Sequence, residues 1–132
     1  HLGIDEAQKA WAYAQCAGFV FPSWAEGFGL PPIEAMHFGK PVFLSRLTSL
    51  PEVGGDCAEY FDGFEPAAMR AVVERGLARH AAEPGRAAAV RAHAARFDWD
   101  RAGAAYAALY RRLLGLAPAA TAQPSGSPAW AA

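Results

Sequence analysis

Two glutamates, Glu26 and Glu34, stand eight positions apart in the stretch FVFPSWAEGFGLPPIEAMHFGKPVFLS (residues 19–45), with Gly27 and Gly29 between them. Carboxylates take charge-assisted hydrogen bonds from hydroxyl groups. Glycines allow a sharp turn and let a ligand approach the backbone without a Cβ in the way. A helix opening behind such a loop aims free N–H groups and a partial positive charge at an anion. Pro31 and Pro32 have no N–H, so the expected donors are Gly29, Leu30 and Ile33. A carboxylate repels a diphosphate, so both glutamates must face something else. Glu34, in the first turns of the helix, is expected to accept from a vicinal diol such as a ribose. Glu26, on the other side of the glycines, is expected to meet hydroxyls of a carried sugar. Singly, a glycine pair before a helix is more often a tight turn and a glutamate near a helix start more often a dipole partner. Only the joint pattern points to a nucleotide-sugar site.

The elements that must position these groups read as α/β. Asp5 and Gln8 form a capping-box pattern, followed by Ala7, Ala10, Trp11 and Ala14 at helical spacing, with Gly18 expected as the C-terminal cap. Residues 19–21 are an apolar strand ended by Pro22. A helix begins at Pro31 and stops at Gly39, and a second apolar strand covers 41–45. Both strands are apolar throughout, the pattern of parallel strands covered on both faces. A turn or one-turn helix is expected over 50–55 and a last short strand over 57–61. Then come a helix from Pro66 with Met69, Val72, Val73 and Leu77 on one face, a break at Pro84-Gly85, and an arginine-rich helix to Phe97. Gly76 should weaken the first of these by about 1 kcal/mol relative to alanine. Asp98 caps a final helix whose stripe of Ala102, Tyr106, Leu109, Tyr110 and Leu113 is expected to be core. Residues 117–132, rich in Ala, Pro, Ser and Gly, are expected to be a disordered tail, and 1–116 the domain.

The 132 residues carry a net charge of −1, which argues against nucleic acid, whose binding needs a basic face. No apolar run approaches the roughly 20 residues that span a bilayer. Cys16 and Cys57 lack metal-ligand spacing and read as reduced thiols. No charged-then-apolar leader opens the chain. A cytoplasmic protein is expected, peripheral at the inner membrane face at most, through weak contact of Arg75, Arg79, Arg86, Arg91 or Arg96 with anionic lipid. The start at His1 and the small number of strands suggest a truncated sheet.

The segment PSWAEGFGLPPIEAMHFGKPVFLS, continuing through RLTSLPEVGGDCAEYFD, resembles the C-terminal nucleotide-binding domain of group 1 (family 4) glycosyltransferases. Phe97-Asp98-Trp99 is similar to that family's closing F-x-W helix. The resemblance implies a partial Rossmann-like domain of the GT-B type, with a parallel sheet of few strands and C-terminal helices. It implies a retaining, metal-independent transferase that moves a hexose from a nucleotide-diphosphate sugar to a glycan, lipid or other acceptor. By it, Glu34 binds the ribose and Glu26, as the catalytic residue, contacts the donor sugar. The backbone of Gly27, Phe28, Gly29 and Leu30 would meet the diphosphate. The donor is a substrate and no cofactor is implied.

The family's diphosphate-neutralising Arg and Lys, and the N-terminal Rossmann domain with its catalytic histidine, have no counterpart here. That domain is therefore the expected partner, and the chain alone is expected to be inactive. The rivals are a GT-B nucleotide-sugar epimerase, a glycogen-synthase-like glucosyltransferase, and a non-catalytic nucleotide-sugar-binding or interaction module. Trp24 and Phe28 flank the loop and either stack on a base or sugar or pack the loop. Thr48, Ser49 and Glu52 either reach a ligand or position the loop. Lys40 and His37 read as surface or packing residues, and Arg46 reads only weakly as a phosphate contact.

Overall fold

The computed structural model describes residues 3–117. The expected tail over 117–132 lies, apart from Ala117, outside the described residues. The chain divides into two compact units, His1–Arg96 and Phe97–Ala132.

In the first unit the order is α1 (Glu6–Gln15), β1 (Phe19–Phe21), α2 (Leu30–His37), β2 (Val42–Ser45), α3 (Leu50–Gly54), β3 (Glu59–Phe61), α4 (Pro66–Ala82) and α5 (Arg86–Ala94). A single 3-10 turn, Gly55–Cys57, follows α3. The strands form one parallel sheet in the order β1-β2-β3. Val20 aligns with Phe43, and Leu44 with Tyr60.

β2 is central, and Val42, Phe43, Leu44 and Ser45 are all buried. Phe43 and Leu44, as neighbours on a strand, point to opposite faces. A Cβ on Gly76 of α4 would meet the Phe43 ring at 2.5 Å, and one on Gly54 of α3 would meet Leu44 at 2.8 Å. Helices thus cover both faces of β2, as its unbroken apolar sequence implied. The same expectation fails for β1, where Val20 is 47% exposed. β1 is a sheet edge among the described residues, so apolar composition there does not report two-sided cover.

Several local expectations hold. Asp5 and Gln8 form a reciprocal capping box, Gln8 N–H to Asp5 at 2.8 Å and Asp5 N–H to Gln8 at 3.1 Å. Asp98 accepts from the Arg101 N–H at 2.8 Å. α1 differs in two respects. Its C-cap is Cys16 in extended conformation, not Gly18. Gly18 is required instead for close packing, since a Cβ there would lie 2.9 Å from the Phe43 ring. The expected stripe is also displaced: Trp11 is exposed and Tyr13 is the buried residue of the helix. Tyr13 packs edge-on against Phe19 and stacks with Phe38, ring centroids 5.5 and 5.8 Å away.

The second unit is described by α6 (Trp99–Leu113). Its strongly amphipathic sequence suggested a core stripe, yet no residue of α6 is buried and Tyr106 and Tyr110 are exposed. Among the described residues of this unit no second element lies against α6, and an apolar helix face is buried only against another element.

Candidate functional site

The 22–29 loop leaves the carboxyl end of β1 and runs into α2, which starts at Leu30, one residue before the expected Pro31. Gly29 is its N-cap at φ +103°, a conformation that favours glycine. Pro31 and Pro32 follow in the first turn, where proline is tolerated. The N–H groups of Gly29 and Leu30 lie at the helix N-terminus, where no helical acceptor exists for them, and they have no hydrogen-bond partner among the described residues. Ile33 leaves the expected donor set, because its N–H turns back to the Gly29 carbonyl at 3.5 Å.

Three hydroxyls of the β2–α3 segment fasten this loop. Buried Ser45 donates to the Ser23 carbonyl at 2.6 Å. Thr48, itself at φ +51°, accepts from the Glu26 N–H at 3.2 Å. Ser49 donates to the carbonyls of Phe28 at 3.0 Å and Glu26 at 3.3 Å. Of the two roles open to Thr48 and Ser49, the geometry gives loop positioning. Glu52 is exposed on α3 and makes none of these contacts.

Glu26 is half-buried, and its carboxylate folds over its own loop to accept the Gly27 N–H at 2.9 Å. That N–H, expected to face a diphosphate, is already held by an anionic oxygen. Gly27 itself has open space where a Cβ would stand. Phe28 and Leu30 expose their side chains at the loop's end.

Glu34 lies in the second turn of α2, with both carboxylate oxygens engaged by α1. Lys9 Nζ stands 3.1 Å from Oε1, and the Tyr13 hydroxyl donates to Oε2 at 3.0 Å. Lys9 also pairs with Glu6 at 2.8 Å. Glu6, then Glu34, hold the Lys9 ammonium above its ordinary range. Burial first, and the bond to Glu34 second, push the Tyr13 phenol far upward. An ionised carboxylate has about four lone-pair sites; these contacts use two, and the Glu34 side chain is 38% exposed. It therefore retains acceptor capacity for a diol while its direction is fixed. Lys9 and Tyr13 were not singled out in the sequence. The available signal was their i, i+4 spacing, which sets both polar heads on one face of α1.

Arg46 is committed elsewhere, with Nε 3.2 Å from Asp62 and its guanidinium 4.7 Å above the Tyr60 ring. Trp24 stacks on Phe64, with ring centroids 4.1 Å apart and planes inclined by 14°. His37 ends α2, half-buried. Among the described residues no group of three His, Cys, Asp or Glu could hold a metal ion, and no helix is long and apolar enough to cross a membrane.

Residues 3–79, which contain the loop and both glutamates, match the family model for glycosyl transferases group 1. The chain is 38% identical over 101 residues to the O-antigen chain mannosyltransferase B of Escherichia coli, covering 76% of this chain and 26% of that protein. It is 42% identical over 87 residues to the serotype-specific mannosyltransferase WbdA of Escherichia coli, with 66% and 11% covered. It is 35% identical over 128 residues to the glycogen synthase of Bordetella bronchiseptica, with 86% and 25% covered. The chain thus spans about a quarter or less of the length of these relatives. No solved structure matches it. With a parallel sheet whose central strand is covered by helices on both faces, a glycine loop feeding a helix N-terminus, and a family match that contains both, the chain belongs to the group 1 glycosyltransferases.

Proposed function

We propose that this chain is the donor-binding part of a GT-B glycosyltransferase, retaining and independent of a metal cofactor. It would transfer a hexose from a nucleotide-diphosphate sugar to a glycan, lipid or other acceptor. The observation that carries this reading is the pair of unpartnered N–H groups, Gly29 and Leu30, at the N-terminus of α2 between two glutamates. Those donors and the helix end meet the diphosphate. Glu34, braced by Lys9 and Tyr13, takes the ribose diol. Glu26 turns from the Gly27 N–H to the hydroxyls of the donor sugar, and the N–H it releases becomes a third donor to the phosphates. Stabilising the departing diphosphate and an oxocarbenium-like sugar is largely electrostatic work. Oriented N–H groups supply part of the positive end, and this reading assigns no resident metal or cofactor to it.

The relatives' names favour mannosyl transfer, with glucosyl transfer, as in glycogen synthase, the second reading. Acceptor positioning is assigned to a second Rossmann domain, and the work to the cytoplasm or its membrane face. Calorimetry of the 132-residue chain with UDP, GDP, UDP-glucose and GDP-mannose tests the reading. Saturable binding of at least one nucleotide, weakened by Glu34→Gln, is expected. Wild-type chain that is folded and binds none of the four would overturn it.

A further inference from the structure

Trp24 is the most conspicuous surface residue that the loop chemistry leaves unused. Its side chain is 72% exposed. It is nevertheless held in place, because Phe64 lies against it almost face to face. Phe64 belongs to the turn between β3 and α4, and Trp24 to the loop after β1. Both segments leave the carboxyl ends of parallel strands, the edge where open α/β sheets bind their ligands. Phe64 covers one face of the indole, and the other remains a flat apolar surface.

The chemistry of that surface is specific. An aromatic face carries negative quadrupolar charge, and the C–H face of a pyranose presents a row of weakly positive hydrogens. Such a ring also offers equatorial hydroxyls at its rim. Two residues of chain place the Glu26 Cα within about 7 Å of the Trp24 Cα, roughly the width of one pyranose. One Glu26 oxygen accepts from the Gly27 N–H, and the other has no hydrogen bond among the described residues. Ser45, through its 2.6 Å bond to the Ser23 carbonyl, fixes the backbone just before Trp24.

We propose that the open face of Trp24, backed by Phe64, is a pyranose-stacking subsite that holds a sugar ring beside the Glu26 carboxylate. The subsite rests on the reading of the 22–29 loop as a donor site. Its sugar comes either from the donor nucleotide or from an acceptor glycan, and one experiment separates the two.

The 132-residue chain, with Trp24→Ala, Trp24→Phe and Phe64→Leu variants, is titrated with UDP, UDP-glucose, GDP, GDP-mannose, maltotriose and mannotriose. Circular dichroism melts confirm that each variant is folded, and Trp24→Phe keeps a ring if the alanine variant is not. If the donor sugar stacks, Trp24→Ala weakens a nucleotide sugar about tenfold while leaving the bare nucleotide unchanged, the scale of one aromatic contact. Phe replaces Trp with most of the affinity restored, and Phe64→Leu gives a smaller loss. If an acceptor sugar stacks, a trisaccharide loses affinity and all nucleotides are unaffected. Equal loss for nucleotide and nucleotide sugar would make Trp24 a loop support and overturn the subsite. Normal nucleotide binding with no Trp24 effect on any sugar would overturn the subsite alone. Absence of nucleotide binding in the wild type would overturn the donor-site reading, whereas Trp24-dependent trisaccharide binding would still uphold the stacking surface.

Discussion

The Tyr13 hydroxyl donates to Glu34 at 3.0 Å across 21 residues of sequence, joining α1 to the helix that carries the candidate site. One oxygen of the carboxylate is thereby fixed, and Lys9 fixes the other at 3.1 Å. The Lys9–Glu34 pair is one-third exposed on each side and solvent-screened, so on its own it contributes below about 1 kcal/mol. What the pair supplies is direction. A carboxylate held on two sides presents its remaining lone pairs along a defined path, which is what recognition of a vicinal diol requires.

The first prediction separates bracing from binding. Glu34→Gln should weaken a nucleoside diphosphate by about 1–3 kcal/mol, the scale of a lost charged hydrogen bond, and leave the fold intact. Tyr13→Phe keeps the contacts with Phe19 and Phe38 and removes only the hydroxyl. It should lower stability by about 1 kcal/mol and weaken the nucleotide less than Glu34→Gln does. Urea unfolding and calorimetry on both variants provide the check. Unchanged nucleotide affinity in Glu34→Gln would make Glu34 a brace for α1 and nothing more.

The two loop glycines should behave differently. A Cβ on Gly29 meets Leu50 at 3.1 Å on a backbone at φ +103°, so Gly29→Ala should cost about 1 kcal/mol or more of stability. Gly27 has no neighbour within 4 Å of its added Cβ, so Gly27→Ala should leave the melting temperature unchanged. If a diphosphate lies against the loop, Gly27→Ala nonetheless weakens a nucleoside diphosphate far more than the bare nucleoside. Equal effects on the two ligands would remove the phosphate from Gly27.

The parallel sheet, the helix starts and the loop were legible because each rests on local chemistry: apolar runs of strand length, capping side chains, and glycine or proline where the backbone needs it. The two glutamates of the candidate site stood out by their spacing. Their partners were not. Lys9, Tyr13, Ser45 and Phe64 reach the site from segments distant in sequence, and no local pattern encodes which loops converge at a strand end. Trp11 and Tyr13 show the same limit inside one helix. Both are aromatic and two positions apart, and only the packing of α1 against Phe19 and Phe38 decides which is buried. Gly76 read as a helix weakness for a related reason, since its justification is a ring on β2.

That glycine supplies a third prediction, in which helix propensity gives the wrong sign. Gly76→Ala in a helix interior ordinarily stabilises by about 1 kcal/mol. Here the new methyl would stand 2.5 Å from the Phe43 ring and 2.7 Å from Glu59 Cγ. Phe43 is fully buried on the central strand and has no room to withdraw. Forcing α4 off the sheet should give a net loss of about 1–3 kcal/mol. A higher urea midpoint for Gly76→Ala would mean that α4 does not pack this closely.

The last prediction concerns alkaline pH. Tyr60 donates to the Gly55 carbonyl at 2.9 Å and is pushed up to about 12 from an ordinary value of 10.0, mainly by burial, with Arg46 partly opposing. Tyr13 is raised further, by burial and then by its bond to Glu34. Both phenols keep their protons in the folded chain at pH values where the unfolded chain has lost them. Each contribution is therefore complete below pH 10 and declines as pH rises through the folded-state value, because ionisation then favours the unfolded chain. The urea midpoint should be flat in tyrosine's contribution up to about pH 9.5 and should fall steeply from there to about pH 12. Tyr60→Phe starts from lower stability, having lost its bond to Gly55, but its midpoint should fall less over the same interval. Tyr13→Phe should flatten the curve in the same way, and the double variant more than either. Parallel curves for wild type and both variants would show that neither phenol is buried against ionisation, and would leave Lys9 as the contact from α1 to Glu34.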